Sequence, residues 1–106
     1  KKGLFLINFK CYKESTGKNA LKLAKIIENL ASKSQVNLAV AVQSTDIYQI
    51  AKECKHLKVF SQHIDSVKEG AHTGAILASA VRSVGASGTL LNHSEKKLKM
   101  IQPSPA

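Results

Sequence analysis

The 106-residue chain carries sixteen lysines and arginines against seven acidic residues, a formal net charge of +9. At 43% hydrophobic and 22% charged residues, it has the composition of one globular domain (1–106), not of a disordered or fibrous chain. No run approaches the ~20 apolar residues of a membrane-crossing helix, and no secretory leader opens the sequence.

Leu4-Phe-Leu-Ile-Asn-Phe is a short continuous apolar run, as in a strand covered on both faces. The period then changes. Over 19–34, Ala20, Leu23, Ala24, Ile27, Leu30 and Ala31 recur at three and four, which predicts an amphipathic helix. "NLAVAV" (37–42) reads as a second strand. Ser44 and Thr45 then offer caps for a helix whose face is Ile47, Ile50, Ala51 and Cys54. "KVFSQHI" (58–64) predicts a third strand. A third helical stripe follows at Ile76, Leu77, Ala80, Val81 and Val84, ended by Gly85. Thr89–Asn92 is the expected fourth strand. A helix begun at Ser94 would be cut short by the two prolines of the tail, and residues from about 100 to 106 should fray.

The expected order is β-α-β-α-β-α-β, an α/β fold of parallel strands joined by right-handed crossovers. On the first strand Leu4, Leu6, Asn8 and Lys10 share one face by alternation. On the fourth, Thr89, Leu91 and His93 share one. Asn8, Lys10 and His93 therefore reach the carboxyl ends of the strands, where parallel α/β proteins bind ligands. An amide, an ammonium and an imidazole at one rim suit an anionic substrate with a carbonyl to polarise.

Other chemistries find less support. The lysines are scattered over separate helical faces, Arg82 stands alone, and the aromatics do not interleave with basic residues, which argues against a nucleic-acid partner. His56, His63 and His72 have no metal-ligand spacing with Cys11 or Cys54, and no cofactor motif is present. "KCYKESTG" (10–17) is unlike the glycine-rich loop of a mononucleotide binder, and Cys11 has no evident base to make it a nucleophile. Two scattered cysteines fit a reducing, cytoplasmic compartment.

Four motifs point to one family. "INFK" (7–10), "SQHID" (61–65), "GAHTG" (70–74) and "NHSEKK" (92–97) occur in the order and spacing of triosephosphate isomerases. The chain resembles the shorter, archaeal-type form of that family. The resemblance implies half of an eight-stranded (β/α)8 barrel. It also implies the glycolytic and gluconeogenic interconversion of dihydroxyacetone phosphate and glyceraldehyde 3-phosphate. It makes Lys10 the cation for phosphate and enediolate, Asn8 its neighbour in substrate binding, and His93 a neutral imidazole donating to the carbonyl oxygens. Ser94 and Glu95 would open the helix behind that histidine, with Glu95 a supporting carboxylate. Gly70, Thr73 and Gly74 would form a loop docking into a neighbouring subunit.

The family's base is a glutamate after the sixth strand, and its phosphate loops lie later still. No acid here matches that base. Glu14, Glu28, Asp46, Glu53 and Glu69 read as surface or capping residues, and Asp65 as the start of a loop. The expectation is a chain inactive alone, with a triose phosphate as at most a weak ligand. A four-stranded half barrel would also leave two open edges and an apolar concave face. It would then need a complementary half barrel or self-association. The alternative function is a non-catalytic, self-associating half barrel that keeps the anion-binding rim.

Overall fold

The computed structural model describes residues 3–90 and 98–100, with backbone only for the last three. Four parallel strands, β1 (Leu4–Asn8), β2 (Asn37–Val42), β3 (Lys58–Ser61) and β4 (Gly88–Leu90), stand side by side in chain order. Helices α1 (Lys18–Ser32), α2 (Ile47–Glu53) and α3 (Ala78–Ser83) make the crossovers. This is a half barrel of the α/β class. None of these helices is long and apolar enough to cross a membrane.

The central strand explains the layering. Val40 and Val42 turn one way, into a core with Phe9, Val59, Ile47, Ile50 and the inner face of α1. Ala20, Ala24, Ile27 and Ala31 form that inner face, and the three alanines let the helix lie close to the sheet. Leu30, expected in the stripe, lies exposed at its flank. Ala39 and Ala41 turn the other way and pack with Phe60, Leu4, Leu6 and Leu90. Ala39, Ala41 and Phe60 are fully buried, whereas Leu4, Leu6 and Leu90 on the same face remain partly exposed. Alanines at the inward positions of β2 leave room for the larger side chains of neighbouring strands to close over them.

Several boundaries differ from the sequence reading. Strand β3 stops at Ser61, where the Ser61 hydroxyl donates to the His63 carbonyl at 2.7 Å and turns the chain. Ile76 and Leu77 precede α3, because Leu77 is extended. Ser44 and Thr45 lie in a 3-10 turn (Ser44–Asp46) and make no side-chain cap. Asp46, read as a surface or capping acid, is buried instead. It accepts hydrogen bonds from the Gly17 N–H at 2.9 Å and from Gln49 Nε2 at 3.2 Å.

The outer edge of β4 brings a larger correction. Residues 98–100, where any fourth helix would have continued, form β5 (Leu98–Met100) and pair antiparallel with β4. Unsatisfied N–H and C=O groups along an edge favour such pairing. The outer edge of β4 is thus occupied by the chain itself, and β1 and β5 are the edge strands of the sheet. On the convex face of β1, Phe5 and Ile7 are 62% and 38% exposed, whereas Val40, Val42 and Val59 on that face are buried. Helix α1 lies against β2 and α2, which leaves this flank uncovered.

Candidate active-site rim at the carboxyl ends of the strands

Strand β1 delivers Asn8 at its last residue, and the chain turns at once. The Lys10 N–H donates to Asn8 Oδ1 at 2.9 Å. Lys10 takes a φ of 55°, the left-handed region that costs an ordinary residue roughly 1–2 kcal/mol. Among the described residues it is the one non-glycine with positive φ. Such strain persists only where its surroundings over-determine it. Here they do. Phe9 N–H donates to the Ala41 carbonyl at 2.9 Å, its own carbonyl accepts from the Ser15 hydroxyl, and Gln62 Nε2 donates to the Lys10 carbonyl at 2.8 Å. Gln62 also reaches the Ala41 carbonyl at 3.3 Å, tying the ends of β1, β2 and β3 together.

The face assignments made from alternation need one correction. Lys10 lies beyond the end of β1 in a turn, so strand alternation does not orient it. Thr89 pairs with Ser61 and Gly88 with Phe60. Thr89 therefore shares the helix-covered face, opposite to that of Asn8, and Leu90 shares the concave one. His93, Ser94 and Glu95 themselves lie outside the described residues.

Next along the rim is the segment after β3. His63 Nε2 lies 2.8 Å from Asp65 Oδ1, and the Ile76 N–H donates to Asp65 Oδ2 at 2.7 Å. These bonds hold the Asp65 carboxyl below its ordinary range, the Ile76 N–H contributing most and His63 next. With the Asp65 N–H donating to the Ile76 carbonyl at 2.8 Å, they close the neck of a loop. Gly70, Thr73 and Gly74 sit exposed in that loop, and both glycines have positive φ. Asp65 thus does more than start a loop. Gln62, missed in the sequence, is the residue that links this segment to Lys10.

Glu28 was also misread. Its carboxylate accepts the N–H groups of Lys55, His56 and Leu57 between 2.9 and 3.1 Å, and His56 Nδ1 lies 2.6 Å away. Burial pushes its pKa up, but the hydrogen bonds and the charge of His56 outweigh that and leave it lowered. This cluster fastens the α2–β3 loop to α1, at the end of the sheet remote from Lys10.

What the rim can do is electrostatic: it presents an ammonium from a fixed turn, beside an amide whose oxygen is already engaged. The described residues contain no cluster of three or more metal-ligating side chains. Comparison with known proteins identifies the family. The family model described as triosephosphate isomerase matches residues 3–103. A triosephosphate isomerase of Methanobacterium bryantii is 48% identical over 99 residues, covering 93% of this chain and 43% of the relative. One from Archaeoglobus fulgidus is 48% identical over 100 residues, covering 94% and 44%. The crystal structure of a triosephosphate isomerase from Bartonella henselae superposes with a TM-score of 0.69 at 18% identity, over 87% of this chain and 38% of that one. The chain spans less than half the length of the curated relatives it matches, and it belongs to the triosephosphate isomerase family.

Proposed function

We propose that this chain supplies the Asn8–Lys10 side of a triosephosphate isomerase active site, for the interconversion of dihydroxyacetone phosphate and glyceraldehyde 3-phosphate. The observation that carries the proposal is Lys10 held at a φ of 55° by Asn8 and Gln62, within a chain that matches the family over residues 3–103. The Lys10 ammonium attracts the substrate phosphate and stabilises negative charge developing on the enediolate. Asn8 acts partly through Lys10, by fixing the turn that aims it. His93 donates as a neutral imidazole to the carbonyl oxygens, supported by Ser94 and Glu95; triosephosphate isomerases are the standard example of a histidine kept neutral by a helix N-terminus. Thr73, between Gly70 and Gly74, braces the site of a neighbouring subunit.

Proton abstraction next to a carbonyl needs a base. Three of the acids described here are engaged elsewhere, and Glu14, exposed in the turn that follows Lys10, does not match the family's base. Asp46 is buried and hydrogen-bonded, Glu28 is engaged at the far end, and Asp65 closes a loop. The base and the phosphate loops are therefore features to be sought outside these 106 residues. A coupled assay tests this reading directly: the 106-residue chain alone should show no turnover above the His93→Ala background. Turnover near that of ordinary family members, abolished by His93→Ala, overturns it.

Exposed Phe5 and Ile7 beside the free edge of β1 favour a second reading, a self-associating half barrel that binds anions without catalysis. A native mass of one chain, measured by light scattering, speaks against it.

A further inference from the structure

Strand β5 does not fit the barrel it borders. Strands β1 to β4 stand in chain order and all parallel, so a barrel's next strand belongs on the outer edge of β4, parallel to it. That place is taken. Leu98, Lys99 and Met100 pair there with Leu90, Thr89 and Gly88, antiparallel. Strand β4 ends at Leu90 and β5 begins at Leu98, so seven residues join them. A parallel crossover takes a dozen or more. Strand β5 is therefore a substitute for the next strand of a barrel, not that strand itself.

The pairing is also slight. Three register pairs hold β5, against five between β1 and β2, and one of the three falls on Gly88, which has no side chain to pack across the strands. Beyond Met100 the ladder has little to grow on, because Pro103 and Pro105 have no N–H to donate. Lysine, at position 99, is a residue that edge strands use to deter further pairing.

From this we infer that β5 is an intramolecular guard strand: it closes the β4 edge to other chains and must leave before any further strand joins the sheet. A helix begun at Ser94 cannot run on through 98–100 while these residues pair with β4, so departure of the guard frees the edge and that helix together. What the freed edge receives, a parallel strand from the remainder of the barrel, rests on the proposed function; the guarding itself does not.

The test uses the 106-residue chain in two ways. In a Cys11→Ser background, Leu90→Cys/Leu98→Cys sets two thiols at one register position, where opposed residues of antiparallel strands come within disulfide reach. Mild oxidation should close that bond at least tenfold faster than in the off-register pair Leu90→Cys/Met100→Cys. Separately, Leu98→Pro/Met100→Pro removes two N–H groups of β5 and should raise the mass seen by light scattering at least twofold above the parent's at equal concentration. The oxidised, locked form should keep the parent's mass. Leu98→Gly/Met100→Gly weakens the pairing without proline and should shift the mass the same way, which keeps the test decisive if the proline variant fails to fold. Equal closure rates for the two cysteine pairs overturn the pairing, and masses unchanged in both weakened variants overturn the guarding role. None of these measurements needs a complementary polypeptide, so they stand or fall apart from the proposed catalytic role.

Discussion

The Lys10 N–H donates to the side-chain oxygen of Asn8 two residues earlier, at 2.9 Å, across a turn in which Lys10 has a φ of 55°. The bond offsets part of the cost of the left-handed backbone, since a net hydrogen bond contributes about 1 kcal/mol. Asn8→Ala should therefore lower stability by about 1 kcal/mol and speed exchange of the Lys10 amide, measured by denaturation and hydrogen exchange. Lys10→Gly should keep the stability within about 1 kcal/mol, because glycine adopts this φ freely; Lys10→Val should lose about 2 kcal/mol. Equal stability of the two Lys10 variants would show that the turn holds no strain.

Glu28 gives the fold a defined acid limit. Its folded pKa lies below the ordinary value of 4.5, so the unfolded chain binds the proton more readily. The stabilisation it provides is complete above about pH 5.5, begins to fall as pH nears 4.5, and is lost as pH falls through the folded value. Glu28→Ala should cost about 2 kcal/mol at pH 7, since it strips acceptors from the N–H groups of Lys55, His56 and Leu57. Urea midpoints of parent and variant, followed from pH 7 to pH 3, should converge at the acid end. A constant gap would refute this role.

Gly85 is fixed by two constraints at once. Its φ is +116°, and a Cβ there would lie 2.5 Å from the Cβ of Ala51 on α2. Gly85→Ala should cost about 3 kcal/mol from backbone strain and overpacking together. Ala51→Gly in the same chain should relieve part of that loss. Thermal denaturation of the single and double variants reads out the difference, and simple additivity would contradict the contact.

The two thiols should separate cleanly. Cys11 is exposed, whereas Cys54 is buried and its thiol is pushed up, first by burial and then by Glu28 and Glu53. A thiol reagent at neutral pH should label one cysteine quickly and the other only on unfolding. Peptide mapping should assign the fast one to Cys11. Rapid labelling of both would contradict the packing beneath α2.

Much of the scaffold was legible from local pattern. "NLAVAV" read as a strand, and the spacing of Ala20, Ala24, Ile27 and Ala31 marked the inner side of α1. What stayed hidden depended on pairings distant in sequence. The face of Thr89 follows from its register with Ser61, and a strand's own pattern does not state which neighbour it meets. Gln62 touches Lys10 across fifty-two positions, and Glu28 meets the His56 loop across twenty-eight. Neither contact follows from local spacing, because most of the partners are main-chain groups distant in sequence. The edge strand β5 was equally unreadable: three residues beyond the "NHSEKK" motif pair because an open edge is within reach.

The central claim is that Lys10 belongs to a catalytic rim that needs the remaining strands of the barrel. The direct measurement is triose-phosphate isomerisation after mixing the purified chain with one bearing the remaining strands and the glutamate base. Activity should appear only in the mixture and fall by at least a hundredfold with Lys10→Ala, while co-elution of the two chains is unchanged. Turnover that survives Lys10→Ala, or that the 106-residue chain sustains alone, would contradict the account.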